Sequence, residues 1–304
     1  MIKRVTFIGS KPIGFEALKT MYSIAPDRLH SIITLDDSND IRCSLDEFKK
    51  FSNQTGRKLH ICSKPSKLES IIKEECPEMC IVVGWYWILK ENLLKIVPYG
   101  FLGVHASLLP KYRGSAPLVW SIINNNKETG VSLFYFDKGI DSGDIVTQER
   151  FSIEEEDTIA EVTNKAESHT VEMLKDTYPL LLDGTSPRTP QNHDNATYCS
   201  QRKPEDGRIN WNETNIQIYN SIRAQTHPYP GAFCYTKDNK KLYIWKSRIF
   251  QKEYHGIPGL VVQVSDDYVV VTCGKGAICI YEVQLESSKI DIPSRILKYG
   301  ARLK

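Results

Sequence analysis

Apolar strand patterns alternate with helical patterns throughout the first half of the chain, and this alternation constrains the fold most strongly. The apolar runs at 4–10, 30–35 and 78–85 predict buried strands, and 14–24 and 44–56 carry apolar residues at helical spacing. Strands that are separated by helices indicate a parallel sheet covered on both faces. We therefore predict an open, mainly parallel, Rossmann-like α/β sheet whose ligands bind beyond the carboxyl ends of its strands.

The second half of the chain differs in composition and in its pattern of apolar residues. Residues 184–207 are rich in Pro, Asn, Thr and Asp without periodicity, which is typical of a linker. One helical segment, 215–226, then precedes five short apolar runs separated by turns, and such closely spaced strands predict a small β-barrel. The predicted organisation is a catalytic domain at 1–183, a linker at 184–207 and a barrel domain at 208–304.

Composition excludes several classes of function. The net charge of +2 provides no electrostatic footprint for bulk binding to nucleic acid or to a membrane surface, and no apolar run approaches the length of a membrane span. The eight cysteines are scattered without zinc-site spacing, so we expect free thiols in a reducing cytoplasm and neither a metal site nor disulfides. We therefore expect a cytoplasmic protein without a nucleic-acid or membrane partner.

Two polar segments follow predicted strands and contain the candidate chemistry. His105 lies in "GVHASLLPKYRG" (103–114), and Asp141 lies in the Gly-rich loop "DKGIDSGDIV" (137–146). A carboxylate beside a neutral imidazole orients the ring and leaves a nitrogen free to remove a proton from an attacking amine. A strand-end histidine satisfied by backbone, together with an aspartate in an ordinary turn, is the alternative that these residues leave open.

The same segments resemble the signature of formyltransferases that use N10-formyltetrahydrofolate. The first motif is His-x-Ser-Leu-Leu-Pro with Arg-Gly following, and the second is Thr-Gly-Val with Asp-x-Gly-x-Ile after it, at matching spacing within 103–148. The stretch "IRAQTHPYPGAF" (222–233) also resembles the C-terminal domain of methionyl-tRNA formyltransferase and its relatives. The resemblance extends over essentially the whole chain and implies that the C-terminal barrel is OB-like.

The resemblance implies a catalytic role for each of three positions. His105 would take the amine proton and Asp141 would hold His105, while an Asn side chain two residues before the histidine would steady the formyl oxygen. This chain has Gly103 at that position, and glycine has no side-chain donor. A backbone N–H or a water could replace the missing amide, a residue of the loop at 84–87 could supply the donor, or the enzyme could be slow or inactive.

The resemblance also implies that N10-formyltetrahydrofolate binds as the cosubstrate between two loops. The expected folate-binding residues are Gly84, Trp85, Tyr86, Asp137, Lys138, Gly139 and Ile140. Ordinary packing is the alternative for the aromatic residues of the first loop, although its place after a central strand favours a pocket lining.

Two formyl acceptors compete, a nucleotide-linked amino sugar and the aminoacyl end of initiator tRNA. The motif resembles sugar formyltransferases more closely, and the region 34–50, where the tRNA enzymes carry a basic insertion, has five acids and three bases. We therefore expect a dTDP- or UDP-linked amino deoxysugar, with a catalytically silent binding relative as a third possibility. We also expect a homodimer. The expected substrate-binding residues are Ser10, Lys11, Ser107, Lys111, Arg113 and Arg223.

Overall fold

The computed structural model describes all 304 residues, Met1–Lys304. The strands are β1 (Val5–Gly9), β2 (Leu29–Leu35), β3 (Lys58–Cys62), β4 (Met79–Val83), β5 (Phe101–His105), β6 (Arg113–Gly114), β7 (Glu128–Tyr135), β8 (Ile145–Ser152), β9 (Tyr198–Cys199), β10 (Ala232–Tyr235), β11 (Lys241–Ile249), β12 (Val261–Val264), β13 (Val269–Thr272) and β14 (Ala277–Leu285). The helices are α1 (Lys11–Ile24), α2 (Leu45–Thr55), α3 (Ser66–Glu75), α4 (Glu91–Leu94), α5 (Pro117–Ile123), α6 (Ile159–Asp183), α7 (Asn215–Arg223) and α8 (Pro293–Ile296).

Contacts divide the chain into two units that are each discontinuous in sequence. The first unit comprises Met1–Gly114, Thr129–Phe151 and Asn164–Cys199, and the remaining residues form the second unit. Much of the predicted linker is fixed within the first unit, because Thr189 pairs with Ile145 and β9 pairs with β6. The domain limits read from the sequence stay a prediction about independently folding parts.

A seven-stranded sheet with the order β3-β2-β1-β4-β5-β7-β8 forms the centre of the first unit. Strands β1 to β5 pair in parallel, and the residues of β1 and β4 are buried without exception, which explains their continuous apolar sequence. The predicted open, mainly parallel α/β sheet is thereby confirmed. Strand β7 runs antiparallel to β5, a direction that apolar patterning does not record, because a fully buried strand has the same pattern in either direction.

Helix α1 begins directly after β1, three residues earlier than its apolar pattern indicates. Pro12 occupies the first turn, where its missing N–H costs nothing and its fixed φ suits the helix. The carboxyl end of β1 therefore passes into the helix through Ser10 and Lys11. This placement puts both residues at the edge of the sheet where open α/β proteins bind ligands.

The second unit contains a five-stranded antiparallel sheet with the order β10-β11-β14-β13-β12. One apolar core joins this sheet to α7 through Ile218 and Ile222, both of which are buried. Thr214 and Gln217 cap the start of α7 reciprocally, which satisfies donors that the helix leaves unpaired. The strands confirm the predicted succession of short β-segments in this half of the chain.

Two further observations concern the whole chain. None of the helices combines the length and the apolar character needed to cross a membrane. All eight cysteines are free thiols, and no group of three or more His, Cys, Asp or Glu side chains is arranged to hold a metal ion.

Candidate active site

His105 is the last residue of β5, and its ring is held by a backbone carbonyl. Its Nε2 lies 2.7 Å from the carbonyl oxygen of Tyr112, which can only accept a hydrogen bond. The neutral ring therefore carries its hydrogen on Nε2, and Nδ1 is left as the proton acceptor. The ring is largely buried, and it packs edge to face against Phe134.

Asp141 lies beside the accepting nitrogen of that ring. Its Oδ2 is 3.5 Å from His105 Nδ1 and also accepts a hydrogen bond of 2.7 Å from the N–H of Gly114. The distance suits an ion pair that forms once Nδ1 takes up a proton. The neutral ring is thus oriented by the Tyr112 carbonyl, and the Asp141 carboxylate is placed to stabilise the protonated ring.

The structure brings His105 and Asp141 together through the loop that follows β7. Strand β7 is antiparallel to β5 and ends beside Leu102. The loop from 136 to 144 returns along the sheet and places Asp141 near the end of β5. Asp141 adopts a left-handed backbone, with φ of 47°, which is uncommon for a residue with a side chain.

The Ser-Leu-Leu-Pro turn after His105 is fixed by internal hydrogen bonds. Ser107 is fully buried and its hydroxyl donates to the carbonyl of Lys111 at 2.6 Å. The Ser132 hydroxyl donates to the Ser107 carbonyl, and Gln148 donates to Ser132 and to the Leu109 carbonyl. Ser107 therefore closes the turn and is buried, whereas Lys111 is exposed, and the substrate contacts expected of both residues stay predictions.

Gly103 has a steric reason to be glycine. A Cβ at this position would lie 2.3 Å from Cε2 and 2.7 Å from Cζ of Phe136. The ring of Phe136 therefore occupies the space that a side chain at position 103 would need. Glycine at 103 and phenylalanine at 136 are therefore sterically complementary.

The loop after β4 combines a sharp backbone turn with aromatic side chains. Gly84 has φ of 69°, and its carbonyl accepts a hydrogen bond of 2.7 Å from Ser10. Trp85 packs edge to face on Trp87 at 5.2 Å, and its indole N–H is buried without a hydrogen-bond partner. Tyr86 is 58% exposed. Ser10 is buried and its hydroxyl holds this loop, while its part in substrate binding stays a prediction.

Asp137 closes the second expected folate loop, 137–142, through hydrogen bonds within the loop. One carboxylate oxygen of Asp137 accepts from the N–H of Gly139 at 2.9 Å and from the Ser142 hydroxyl at 2.6 Å. Lys138 is exposed, and Ile140 is 62% exposed. The two loops therefore present apolar side chains to solvent, which suits a flat heteroaromatic ligand.

Lys11 is neutralised by two carboxylates. Its ammonium lies 2.5 Å from Asp37 and 2.8 Å from Asp40, in the segment that follows β2. Burial raises the pKa of Asp40, but hydrogen bonds from Arg42 and Lys11 outweigh it and hold the pKa well below its usual range. Lys11 is thus paired with carboxylates in this structure, and its contact with a substrate phosphate stays a prediction.

The two arginines expected to contact substrate are both buried and hydrogen-bonded within the protein. Arg113 is 1% exposed, and its guanidinium donates to the side chain of Gln191. Arg223 is also buried, and it donates to Asn220 and to the carbonyls of Glu154 and Asp157. Their contacts with a diphosphate stay predictions.

Sequence reasoning missed three residues of this site. Gln191, Phe136 and the carbonyl of Tyr112 all contact members of the motif, as described above. The motif itself signalled none of them: Gln191 lies in a segment that looked like a linker, Phe136 looked like an ordinary strand residue, and a carbonyl is common to every residue type.

Known proteins resemble the chain over nearly its whole length. The family profile described as formyl transferase matches residues 47–177, and the formyl transferase C-terminal domain profile matches residues 202–298. A methionyl-tRNA formyltransferase of Caldanaerobacter subterraneus subsp. tengcongensis is 35% identical over 294 residues, which cover 94% of this chain and 93% of that protein.

Solved structures show the same fold. An N-formyltransferase from Helicobacter canadensis in complex with folinic acid and dTDP-3-aminofucose is 22% identical, with a TM-score of 0.68 over 92% of this chain and 99% of that one. A sugar 3N-formyl transferase solved with dTDP and 5-N-formyl-THF is 20% identical, with a TM-score of 0.67 over 95% of this chain and 100% of that one.

The two matching profiles and a relative that is 35% identical over nearly the whole chain define this protein as an enzyme that transfers formyl groups. The chain belongs to the formyltransferase family.

Proposed function

We propose that the enzyme transfers the formyl group of N10-formyltetrahydrofolate to the amine of a dTDP- or UDP-linked amino deoxysugar, for cell-surface polysaccharide synthesis. The observation that supports this acceptor most directly is the acidic segment after β2, where Asp37 and Asp40 neutralise Lys11. An RNA backbone would meet carboxylates there, and phosphate contacts supply much of the affinity of tRNA-binding proteins. A small acceptor has no need of a basic surface.

The folate cosubstrate fits the two loops at the carboxyl end of the sheet. Tyr86 and Ile140 expose apolar surface, and Trp85 carries a buried N–H that lacks a partner. These residues would hold the donor, which supplies the formyl carbon. The named folate ligands of the two similar solved structures support the same cosubstrate.

His105 and Asp141 divide the proton chemistry between them. The Tyr112 carbonyl holds the hydrogen of neutral His105 on Nε2, so that Nδ1 can take a proton from the attacking amine. The imidazolium that results faces the Asp141 carboxylate at 3.5 Å, and the pair of opposite charges stabilises it. The N–H of Gly114 keeps that carboxylate in position.

Trp85 is our assignment for the donor that replaces the missing asparagine amide. It packs against the same apolar cluster as Phe136, whose ring fills the space beside Gly103. A buried donor without a partner is costly, and a formyl oxygen would satisfy it. We expect Trp85→Phe to lower kcat by about 10²–10³-fold, the usual loss for one oxyanion donor. Trp87→Phe is the control, and an equal loss in both variants would refute the assignment.

Initiator methionyl-tRNA is the second candidate acceptor. The observation in its favour is that the curated relatives with 33–38% identity are methionyl-tRNA formyltransferases. A catalytically silent relative that only binds folate or a nucleotide sugar is the third candidate, and it rests on Gly103.

The deciding experiment offers N10-formyltetrahydrofolate to the purified enzyme with a panel of dTDP- and UDP-linked amino sugars in separate reactions. Charged initiator tRNA is a parallel reaction, and mass spectrometry detects the gain of a formyl group. We expect a formylated sugar that His105→Ala does not produce. Product on tRNA alone would overturn the acceptor, and folate binding without any product would favour the silent relative.

The proposal includes a cytoplasmic, homodimeric enzyme. Eight free cysteines suit a reducing compartment. Light scattering on the purified protein tests the homodimer, and a monomer at all concentrations would contradict it.

A further inference from the structure

We propose that Gln191 and Arg113 are positioning residues that hold the Asp141 carboxylate against His105. This inference rests on the proposed function in one respect, that the His105–Asp141 pair carries the proton in formyl transfer. It assigns a part in catalysis to a segment that follows α6 and lies far from the motif in sequence.

Gln191 holds the loop of Asp141 at two points. It is 6% exposed, and its side-chain Nε2 donates to the carbonyl of Asp141 at 2.9 Å and to the carbonyl of Gly143 at 2.6 Å. A primary amide has two N–H bonds, and these two contacts use both of them. The backbone from 141 to 143 is therefore clamped on its carbonyl side by one side chain.

The clamp holds a conformation that the backbone alone disfavours. Asp141 has φ of 47°, in the left-handed region, which costs an L-residue roughly 1 kcal/mol or more. Without ties to its surroundings, this residue would relax toward a right-handed or extended conformation. Such a change would rotate the Cα–Cβ bond and carry the carboxylate away from the ring of His105.

Arg113 determines which way the Gln191 amide points. Its Nε and one Nη donate to Gln191 Oε1 at 3.2 and 2.6 Å. A guanidinium can only donate and the loop carbonyls can only accept, so the amide fits in a single orientation. The Nη that donates to Gln191 also lies 3.1 Å from His193 Nδ1, and the other Nη donates to the Tyr198 hydroxyl at 3.3 Å.

The residue that follows Arg113 completes the arrangement. The N–H of Gly114 donates to Asp141 Oδ2 at 2.7 Å, so the side chain of Asp141 is tied to the strand that carries Arg113. The carboxylate of Asp141 is thus bonded to β6 through Gly114, and its backbone carbonyl is linked to β6 through Gln191 and Arg113. The Gln191 amide, the Arg113 guanidinium and the N–H of Gly114 together determine the position of the carboxylate.

Apart from Asp141, the groups that contact the His105 ring are uncharged, so Asp141 is the contact that stabilises the protonated ring. The ring faces the Tyr112 carbonyl and the Phe134 ring, which carry no charge. Burial, with the nearby charge of Asp141, raises the pKa of the Cys199 thiol to about 11, so this thiol stays neutral at physiological pH. Loss of the Asp141 position would therefore make protonation of His105 less favourable.

The test variant is Gln191→Met, which keeps the length and neutrality of the side chain and removes its hydrogen bonds. We expect kcat for formyl transfer to fall by about 10²-fold, the cost of misplacing a catalytic group by about 1 Å, while KM for the folate stays unchanged. The acid limb of the pH profile of kcat/KM should move to lower pH, because the protonated base loses its partner. Gln191→Asn, a milder change, should shift both quantities in the same direction if the methionine variant unfolds.

Gln225→Met is the matched control. Gln225 is a buried glutamine of the second unit that also accepts from an arginine, Arg202 at 2.7 Å, and donates to a carbonyl, that of Ser221 at 2.8 Å. The variant Gln225→Met should leave the pH profile of kcat/KM unchanged. A profile that moves equally in both variants, or in neither, would overturn the inference.

A double-mutant cycle and an NMR titration distinguish this inference from the proposed function. The losses of Gln191→Met and Asp141→Asn should not multiply in the double variant, because one acts through the other; losses that multiply would overturn the inference. The imidazole NMR signals of His105, which need no substrate, should show that its ring takes up a proton at lower pH in both single variants. An unmoved titration in Gln191→Met refutes the positioning role even if no formyl acceptor is ever found.

Discussion

Gly103 and Phe136 are sterically complementary at the position where the sequence resemblance implies an asparagine. The ring of Phe136 lies where the Cβ of any larger residue at 103 would be, so an asparagine there requires the ring to move. The glycine and the ring therefore belong to one packing arrangement.

The variant Gly103→Asn therefore tests packing before it tests catalysis. We expect it to lower the free energy of unfolding by about 1–3 kcal/mol, the usual cost of overpacking, and Gly103→Asn with Phe136→Ala to recover part of that loss. Urea denaturation measures both. Gly184→Asn is the control, because a Cβ at Gly184 meets nothing within 4 Å and asparagine tolerates its left-handed backbone. Equal stability of Gly103→Asn and the parent would contradict the clash.

The residue scale also shows what the sequence could not reveal. His105 and Asp141 were found because each carries a titratable group within a recognisable motif. Phe136 lies 33 positions beyond Gly103, and only the antiparallel pairing of β5 with β7 brings the two together. Apolar patterning does not record strand direction, so neither the clash nor the return path of the Asp141 loop was predictable.

At the scale of elements, Glu75 joins α3 to the edge of the sheet. Its carboxylate is 4% exposed and accepts from Lys58 at 2.6 Å and His60 at 2.8 Å on β3, while His30 on β2 lies at 3.0 Å. Burial raises the pKa of Glu75, but the hydrogen bonds from Lys58 and His60 outweigh it and the net pKa is lowered. A lowered pKa means that the folded state favours the ionised carboxylate.

The stability that this carboxylate contributes should depend on pH with a definite sign. The contribution is complete above the unfolded pKa, near 4.5, and it is lost as the pH falls through the lower folded pKa. We expect Glu75→Gln to reduce the free energy of unfolding at pH 7 by about 1–3 kcal/mol, with a smaller penalty below pH 4.

The neighbouring Glu74 is the control for this prediction. Its carboxylate also contacts Lys58, at 2.7 Å, but its side chain is 62% exposed. Glu74→Gln should change stability by no more than about 0.5 kcal/mol, as for other exposed ion pairs. Chemical denaturation at several pH values decides the matter, and a penalty for Glu75→Gln that persists undiminished at low pH would count against the ionised cluster.

Strand and helix succession was predictable at this scale because burial imposes periodicity on the sequence. The apolar runs gave β1, β2 and β4, and the pattern of short strands gave the sheet of the second unit. The order of the segment around Gln191 was not predictable, because it comes from hydrogen bonds to β6 and the Asp141 loop, and hydrogen bonds leave no apolar pattern.

At the scale of the whole molecule, the balance of charge bears on the acceptor. The net charge is +2, and Lys11 at the start of α1 is neutralised by Asp37 and Asp40. We expect kcat/KM for the acceptor to fall by less than about tenfold between about 50 and 200 mM salt, whereas six or more phosphate contacts would cost about 10³-fold. Initial rates across this salt range measure the slope, and a steep one would indicate a polyanionic acceptor.

A competition between acceptors tests the central claim most directly. The enzyme receives a limiting amount of N10-formyltetrahydrofolate, labelled with ¹³C in its formyl group, together with a pool of dTDP- and UDP-linked amino sugars and charged initiator tRNA. Mass spectrometry then locates the label. Our account predicts that the label enters one amino sugar, in a reaction that His105→Ala abolishes, and leaves the tRNA unlabelled. Label on the aminoacyl end of the tRNA, or on no acceptor at all, would contradict it.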